Sequence, residues 1–327
     1  MVAVIEPVLR GQLIERREKL EAASHSFGNA LELRRLLSEV DAALRRMDNG
    51  TYGLCDACHD PIETDRLLAD PLTRLCLGDL TNDQQRALED DLQLAAQIQK
   101  GLLPSREYSV VAGWEVAYYY EPAGLVSGDY CDLISAPDNS LYFILGDVSG
   151  KGVAASMLMA HLQAMFRTLT SINLPLDQLL ERASRLFCES TLPTHYVTLI
   201  CGKAGASGDV QICNAGHLPA LLVREGEVSR IESKGLPLGV FCSERFTIDE
   251  ASLGRAETIF LFSDGLSETR DALGNEYGIE RLSRLLQANS HLSPAAMIEA
   301  CVGDVAAFAG GNATADDLTM MAIQRSS

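Results

Sequence analysis

Four aspartates lie at the ends of hydrophobic runs in the last two thirds of this 327-residue sequence, and together their side chains could do chemistry. They are Asp129 in GDYCD, Asp147 in GDVSGKG, Asp264 in FSDG and Asp316 in DDLT. Carboxylate oxygens are the hard ligands that Mg²⁺ and Mn²⁺ select, and such ions keep several waters, so a few carboxylates suffice. One aspartate beside a glycine usually marks only a turn. Four in this setting predict a divalent-metal site.

The elements that position these aspartates are predicted from hydrophobic periodicity. The pattern predicts strands over residues 115–120, 129–135, 141–147, 196–202, 209–214, 220–224, 227–231, 258–262 and 318–323. It predicts helices over residues 154–170, 176–189, 279–286 and 294–308. Glu225-Gly226 is a hairpin signal between two of the strands, so much of the sheet is expected to be antiparallel. Strand-rich sections flanked by paired helices indicate an α+β layered fold.

From about Ile98 to its end, the sequence resembles the metal-dependent PPM-type serine/threonine phosphatases of the SpoIIE/RsbU group. The matching segments, in order, are IQKGLLP, PAGLVSGDYCD, GDVSGKGVAASMLMA, NAGHLPALL, GLPLGV, LFSDGLSETRDALGNEYG and DDLTMMAI. Several blocks in the right order are far more specific than any one of them. The resemblance implies an α-β-β-α sandwich of two mainly antiparallel sheets flanked by helices, with two metal ions at one end.

The resemblance also implies roles for individual residues. Asp147 would bridge two Mn²⁺ or Mg²⁺ ions, with the backbone carbonyl of Val148 as a further ligand. Asp129 would serve one ion, and Asp264 and Asp316 the other. Asp317 is a second candidate ligand, although Asp316 fits the family pattern better. Two such ions lower the pKa of a shared water and orient it for in-line attack on phosphorus. The catalytic set is therefore Asp129, Asp147, Asp264 and Asp316.

Other reactive side chains in this region are given lesser roles, because an activated water needs no side-chain nucleophile. Cys131 is expected to pack, since a reactive thiol needs an electropositive setting. His217 is expected to shape a turn. Lys151 either contacts a phosphoryl oxygen of the substrate or is simply solvated. The GKG run around it lacks the spacing of a phosphate-binding loop.

The N-terminal 80 residues have a different character. Residues 8–47 predict two amphipathic helices broken near Ser26 to Asn29, which fit an antiparallel hairpin or a dimerising helix equally well. The following segment resembles the DksA/TraR zinc finger, with Cys55 and Cys58 as a pair and Cys76 further along. A C-x-x-C pair lets both thiolates reach one tetrahedral ion.

Asp79 stands where the DksA/TraR pattern has its fourth cysteine. Three thiolates plus Asp79 could hold Zn²⁺, His59 could substitute, or the finger could be metal-free. In the last case, packing of apolar residues alone would hold it: Leu54, Ile62, Leu67, Leu72 and Leu75. The RNA polymerase role of that family depends on an acidic coiled-coil tip that this sequence does not display, so that role is not transferred.

Residues 81–103 predict a linker helix that Thr81 or Asn82 caps and Pro104 ends. The predicted organisation is a helical and finger module over 1–80, a linker helix over 81–104 and a phosphatase domain over 105–327. In the phosphatases that this sequence resembles, such a helix often pairs with its twin, so a homodimer is predicted. A spacer packed on its own domain has the same periodicity.

Bulk properties limit the partners. The formal net charge of −18 makes nucleic-acid binding unexpected, because phosphate backbones are bound by cationic surfaces. No apolar run has the roughly 18 to 20 residues of a membrane span, so no membrane partner and a cytoplasmic location are predicted. Six of the nine cysteines are scattered through apolar segments and are expected to be buried small hydrophobes.

The resulting hypothesis is a Mn²⁺- or Mg²⁺-dependent serine/threonine protein phosphatase with a regulatory or recruiting N-terminal module. The group that it resembles acts on phosphorylated anti-sigma-factor antagonists, so a protein of that type is the predicted substrate. The alternative is a non-enzymatic transcription or signalling regulator that acts through its finger and carries a weak or silent phosphatase domain.

Overall fold

The structure, a computed structural model, describes residues 6–7, 9–14, 16–18, 21, 31–79, 82–104, 108–192, 194–311 and 316–326. The chain forms two compact units, Met1–Asp91 and Leu92–Ser327. The division falls inside the predicted linker helix. No helix within the described ranges combines the length and the apolar character needed to cross a membrane.

The first unit is helical around a small finger. Its helices are α1 (Leu31–Asp48) and α2 (Thr64–Ala69), followed by a 3₁₀ turn at Leu77–Asp79. Residues 6–7, 9–14, 16–18 and 21 are also helical, whereas the predicted break near Ser26 to Asn29 lies outside the described residues. One apolar cluster joins the helices to the finger. Its fully buried members are Leu9, Val40, Cys55 and Leu67.

The predicted linker helix is present as α3 (Asn82–Leu102). Asn82 begins it, and the other proposed cap, Thr81, lies outside the described residues. Its apolar stripe is only partly used within the chain, because Ile98 is exposed while Leu102 packs against the core of the second unit. Pairing of this helix in a dimer stays a prediction.

The second unit holds two antiparallel sheets, as predicted. The six-stranded sheet has the order β1-β2-β11-β10-β7-β8 and the five-stranded sheet the order β3-β4-β5-β6-β9. The strands are β1 (Tyr108–Val111), β2 (Trp114–Glu121), β3 (Asp129–Ser135), β4 (Leu141–Val148), β5 (Val197–Ala204), β6 (Asp209–Ala215), β7 (Ala220–Arg224), β8 (Glu227–Ile231), β9 (Asp249–Ser252), β10 (Thr258–Phe262) and β11 (Leu318–Arg325). The predicted hairpin at Glu225-Gly226 joins β7 to β8, and both residues have positive φ, as a tight two-residue turn requires.

Helices cover both outer faces of the stacked sheets. They are α4 (Gly152–Thr170), α5 (Leu176–Ser190), the short α6 (Asp264–Ser267), α7 (Ile279–Ala288) and α8 (Pro294–Ala309). Helices α4 and α5 share an apolar cluster with the five-stranded sheet, and α7 and α8 share one with the six-stranded sheet. A third cluster, with Phe143 and Met321 among its members, fills the space between the sheets. This is the predicted α-β-β-α sandwich, and the fold prediction is confirmed.

The scattered cysteines divide into two groups. Four are buried free thiols, as predicted: Cys131, Cys201, Cys213 and Cys301. The prediction was wrong for Cys188 and Cys242, which form a disulfide with a Cα–Cα distance of 5.4 Å. The two residues meet because the end of α5 lies against the loop that follows Gly235, a contact between segments 54 residues apart that periodicity could not reveal.

Candidate metal-dependent active site

Two of the predicted metal ligands face each other across neighbouring strands. Asp129 begins β3 and is the register partner of Asp147 near the end of β4. Residues directly opposite in an antiparallel pair point to the same face, with Cβ atoms about 5 Å apart. Two like charges placed this way repel each other, so the strand pairing by itself creates a need for positive charge.

The Val148 carbonyl belongs to the same corner. A Cβ added at Gly128 would lie 3.1 Å from the Val148 carbonyl oxygen and 3.6 Å from Asp147 Oδ1. The Val148 carbonyl oxygen and the Asp147 carboxylate therefore both lie beside Gly128, where any other residue would carry its Cβ atom. Glycine at position 128 lets the chain pass close to the carboxylate just before Asp129.

The remaining two aspartates are brought in by a second strand pair. Strand β10 ends at Phe262, and Ser263 then bonds to the start of β11. Its hydroxyl accepts the Thr319 N–H at 2.9 Å and donates to the Asp317 carbonyl at 3.0 Å. Asp264 follows as the first residue of α6. A Cβ at Gly265 would lie only 2.1 Å from the Asp317 carbonyl oxygen, so only glycine permits this approach.

Asp316 and Asp317 differ in what they contact. The Asp316 carboxylate accepts the Lys151 ammonium at 2.9 Å, and both side chains are partly exposed. The two Asp317 oxygens accept backbone N–H groups, from Ala123 at 2.8 Å and from Gly128 at 3.0 Å. Asp317 thus holds the loop that leads into Asp129, whereas Asp316 forms an ion pair with Lys151.

Burial and the charges of neighbouring carboxylates raise the pKa values of three of these aspartates. Burial, then the charges of Asp264 and Asp316, raise the pKa of Asp147 to about 7. Burial and the Asp147 charge raise the pKa of Asp129 well above its usual value. Burial, followed by Asp316, raises the pKa of Asp264. Because the Asp264 charge is among the causes that raise the pKa of Asp147, these two residues from distant stretches of sequence lie close enough to interact.

An open cleft of ≈ 340 Å³ is lined by two of the four predicted aspartates, Asp147 and Asp264, but not by Asp129 or Asp316. Its walls include Asp147, Asp264 and Glu268 together with Ser149, Tyr196, Thr198, Gly216, His217 and Leu218. The acidic wall and the polar side chains suit cations and their bound waters. A phosphoryl group alone would be repelled by this wall, so the donor set fits divalent cations as intermediaries.

The positive charge of Lys151 does not offset the negative charge of these carboxylates. Lys151 is the cation that lowers the pKa of both Asp147 and Asp264, yet both values remain raised. Within the described part of the chain, no three carboxylates place one oxygen each within 4.8 Å of one another.

The two reactive groups that sequence reasoning set aside are both buried. His217 Nε2 lies 3.1 Å from the Phe262 carbonyl, which can only accept, so Nε2 carries the proton. Nδ1 therefore accepts from the Thr198 hydroxyl at 2.9 Å. Burial lowers the pKa of His217 to about 4, so the ring is neutral. Burial raises the pKa of the Cys131 thiol well above its usual value.

Sequence reasoning missed two residues of the site. Thr319 donates its hydroxyl to Asp129, and Glu268 lines the cleft and raises the pKa of Asp264. Each had a local signal. Thr319 lies two residues after Asp317 and so shares its strand face, and Glu268 lies one helical turn after Asp264.

A second cluster lies in the first unit. The Sγ atoms of Cys55, Cys58 and Cys76 lie within 4.8 Å of one another, and Cys58 and Cys76 are 3.6 Å apart. The Cys55 N–H bonds to the Asp60 carbonyl at 2.9 Å and closes the turn that carries the first pair. The side chain of Asp79 is not among those that the structure describes. His59 does not belong to the group formed by Cys55, Cys58 and Cys76. Of the packing residues predicted for a metal-free finger, Leu54 is 36% exposed.

Comparison with known families gives one match in each unit of the chain. Residues 137–326, more than half of the chain, match the family described as Stage II sporulation protein E (SpoIIE). The chain belongs to the SpoIIE family. Residues 50–78 match the prokaryotic dksA/traR C4-type zinc finger, which confirms the second resemblance. A SpoIIE-family catalytic fold and a zinc-finger module are thus joined in one chain.

Individual relatives show how far this similarity extends. Protein IcfG of Synechocystis sp. is 26% identical over 264 residues, covering 72% of this chain and 41% of IcfG. Phosphoserine phosphatase RsbU of Bacillus subtilis is 24% identical over 193 residues, covering 58% of this chain and 57% of RsbU. The chain therefore spans about half the length of these relatives. The SiaA-PP2C domain of Pseudomonas aeruginosa aligns with a TM-score of 0.65 at 19% identity, over 73% of this chain and 97% of that one, and shows the shared fold.

Proposed function

We propose that this SpoIIE-family chain is a Mn²⁺- or Mg²⁺-dependent phosphoserine/phosphothreonine protein phosphatase. The observation that carries the proposal is the convergence of Asp147 and Asp264 on one cleft, where each adds to the need for positive charge. The name of the relative RsbU, a phosphoserine phosphatase, supports the same reaction.

Each residue then has a defined task. Asp129, Asp147, Asp264, Asp316 and the Val148 carbonyl would hold two divalent ions. When bound, these ions supply an activated water and neutralise charge on the phosphoryl oxygens. The chain itself orders the ligands around them.

The ordering is done by neighbours of the ligands. Thr319 orients Asp129 by donating its hydroxyl to the carboxylate. Asp317 fixes the preceding loop through two backbone N–H groups, so we assign it to positioning rather than to ligation. We also propose that Lys151 contacts a phosphoryl oxygen of the substrate, which its ion pair with the proposed ligand Asp316 supports.

The protein substrate is proposed from the same relatives. We propose a phosphorylated anti-sigma-factor antagonist, because RsbU is among the relatives. The finger, whose three thiols could hold Zn²⁺, is proposed to regulate the phosphatase or to recruit a partner. A homodimer through α3 and a cytoplasmic location remain predictions.

The test is hydrolysis of p-nitrophenyl phosphate with Mn²⁺, with Mg²⁺ and with EDTA. We expect activity with either ion and none with EDTA. Asp147→Asn and Asp264→Asn are each expected to lower kcat/KM by about 10³-fold or more, since each removes a charge that the chemistry needs. Asp138→Asn is the matched control, because Asp138 lies beyond the other end of the β3–β4 pairing and bonds to Lys203.

Activity that survives both substitutions would overturn the two-ion assignment. A second candidate function remains for that outcome. The zinc-finger match and the thiol cluster favour a regulator that binds a partner through residues 50–78. A chain without any metal-dependent hydrolysis, yet with a stable finger, would support that alternative.

A further inference from the structure

Segments that adjoin the acidic cleft carry exposed apolar side chains that the hydrolytic reaction does not use, and one of these residues, Tyr196, also lines the cleft. Met157 is 69% exposed and Phe241 is 57% exposed. We call the whole set the apolar rim: Val153, Met157, Tyr196, Val240 and Phe241. Single exposed apolar residues need no explanation, whereas a continuous group beside a site marks an interaction surface.

One side of the rim is tied directly to the cleft. Ser149 and Tyr196 both line the cleft, and two hydrogen bonds join them, Ser149 N–H to the Tyr196 carbonyl at 2.9 Å and Tyr196 N–H to the Ser149 hydroxyl at 3.0 Å. Helix α4 begins at Gly152, three residues after Ser149, and exposes Val153 and then Met157. Met157 therefore lies roughly 8 Å along the helix from its start at the site.

The other side of the rim is fastened to α4 through α5. One turn beyond Met157, His161 bonds to the Ser190 hydroxyl at 3.0 Å and lies 6.1 Å from the Phe187 ring. Phe187 in turn contacts the loop at Gly239, where a Cβ would lie 2.7 Å from its ring.

The loop that bears Val240 and Phe241 is held at two more points. The Ser184 hydroxyl donates to the Phe241 carbonyl at 3.4 Å, and the Cys188–Cys242 disulfide ties the following residue to α5. Leu238 pairs with Val197, which brings the loop back beside Tyr196. Contacts among α4, α5 and this loop therefore connect the segments that carry the rim residues, and the pairing with Val197 leads back to Tyr196 in the cleft wall.

Charge selects the kind of partner. The cleft wall also contains Glu268, which is not a proposed metal ligand, and the chain carries a formal net charge of −18, so acidic side chains that flank a phosphorylated residue would meet like charge. The rim offers apolar contact instead. When a phosphorylated residue occupies the cleft and its chain leaves past Tyr196, its next neighbours come within reach of the rim, since an extended chain advances about 3.3 Å per residue.

We propose that the apolar rim docks the polypeptide that flanks the phosphorylated residue and selects protein substrates with apolar neighbours at that residue. This inference rests on the proposed phosphatase function and adds its substrate class. The occupant is a substrate protein rather than a second copy of the chain, because Tyr196 belongs both to the rim and to the cleft that must receive the phosphoryl group.

The test uses two ten-residue phosphoserine peptides that differ only in four positions next to the phosphoserine, Leu and Val in one and Glu and Asp in the other. Wild-type full-length chain with Mn²⁺ is expected to show a kcat/KM about tenfold higher for the apolar peptide. The rim variant Met157→Ser/Phe241→Ser is expected to lower the ratio of apolar-peptide to p-nitrophenyl phosphate kcat/KM by about tenfold. The second pair Val153→Ser/Val240→Ser is expected to act in the same direction.

Ile172→Ser is the matched control, because Ile172 is 52% exposed and lies just beyond the opposite end of α4. Ile172→Ser should leave unchanged the kcat/KM ratio of the apolar to the acidic peptide and that of the apolar peptide to p-nitrophenyl phosphate. Equal use of the two peptides by the wild type, or rim variants that keep the wild-type ratio, would overturn the docking surface. Rim variants that change only the oligomeric state would overturn it in favour of a self-association face. If the wild type hydrolyses none of the substrates, the proposed phosphatase function fails and the docking inference fails with it.

Discussion

The two candidate metal clusters of this chain are built in opposite ways. The thiol cluster draws Cys55, Cys58 and Cys76 from one short segment of the first unit. The acidic cluster draws Asp129, Asp147, Asp264 and Asp316 from two sheets of the second unit. Sulfur ligands suit zinc and oxygen ligands suit Mg²⁺ or Mn²⁺, so the clusters also differ in the ion they favour.

The thiol cluster and the acidic cluster therefore depend on different parts of the fold. The thiols are brought together by a tight turn and a few local hydrogen bonds, so one substitution there should have local consequences. The carboxylates depend on the pairing of β3 with β4 and of β10 with β11, so a change far from any ligand can disturb them. Four predictions follow from this contrast, in order of decreasing effect.

The largest effect is expected at Gly265 in α6, which lies against the backbone of Asp317 just before β11. Gly265→Ala would place a methyl group 2.1 Å from the Asp317 carbonyl oxygen. Because that atom belongs to rigid backbone, we expect the free energy of unfolding to fall by about 3 kcal/mol and p-nitrophenyl phosphate hydrolysis to fall more than about 100-fold. Urea unfolding and steady-state kinetics measure both.

Gly303→Ala is the control, since Gly303 lies inside α8 with nothing within 4 Å of the added carbon. Alanine is favoured there by about 1 kcal/mol, so no loss is expected. A Gly265→Ala protein as active as Gly303→Ala would show that the β10–β11 contact does not set the acidic cluster.

A smaller and more local effect is expected for the thiol cluster. Cys58→Ser removes one of three thiols, so zinc per purified full-length chain should fall from about one to well below it. Hydrolysis of p-nitrophenyl phosphate should stay within about twofold of the wild type. Ala57→Ser, in the same turn, is the control. Zinc absent from the wild type would leave packing alone to hold the finger, and a lost phosphatase activity would contradict the local character of this cluster.

The third prediction concerns pH and the buried His217. Because burial lowers its pKa to about 4, the unfolded chain binds a proton there more readily than the folded chain. The stability that this difference contributes is complete above pH 6.5 and is lost as pH falls towards 4. We expect a loss of about 2 kcal/mol over this range that His217→Gln removes. Urea unfolding at pH 7 and pH 4.5 tests this prediction, and His291→Gln, at an exposed histidine, is the control. If the free energy of unfolding falls equally between the two pH values in the wild type, His217→Gln and His291→Gln, the prediction is refuted.

The smallest effect is expected at Lys151. Its ion pair with Asp316 is partly exposed, and such pairs contribute at most about 1 kcal/mol. Lys151→Gln should therefore leave Tm nearly unchanged and raise the KM for p-nitrophenyl phosphate about two- to fivefold. Lys203→Gln removes a comparable pair, with Asp138, and serves as the control. An unchanged KM would mean that Lys151 is only solvated.

Much of the catalytic fold could be predicted because its strands carry strong hydrophobic patterns. Strand β10 occupies the predicted residues Thr258–Phe262. Two strands were missed, β1 and β9, because both are four-residue edge strands whose pairing is decided by a neighbour rather than by their own pattern. The short helix α6 was missed for a similar reason, since four residues give no period.

The candidate site shows the same limit. Turn motifs and ligand chemistry were enough to select the aspartates and the thiols, because metal-ligand identity is local to a residue. The spacing of Thr319 from Asp317 and of Glu268 from Asp264 was a local signal, but the contacts that these residues make depend on which segment lies beside them and were not predicted. The Cys188–Cys242 disulfide is a further case, for neither cysteine has a neighbour in sequence that predicts the other.

By itself the sequence determined the family, the layered fold and the residue types that can bind metal, since these follow from local pattern and side-chain chemistry. Only the tertiary structure decided that Asp129 faces Asp147, that Asp317 bonds to the loop before Asp129, and which apolar residues border the cleft. The physical reason is that pairing between distant strands is set by how all of them pack into one core, and no single segment contains that information.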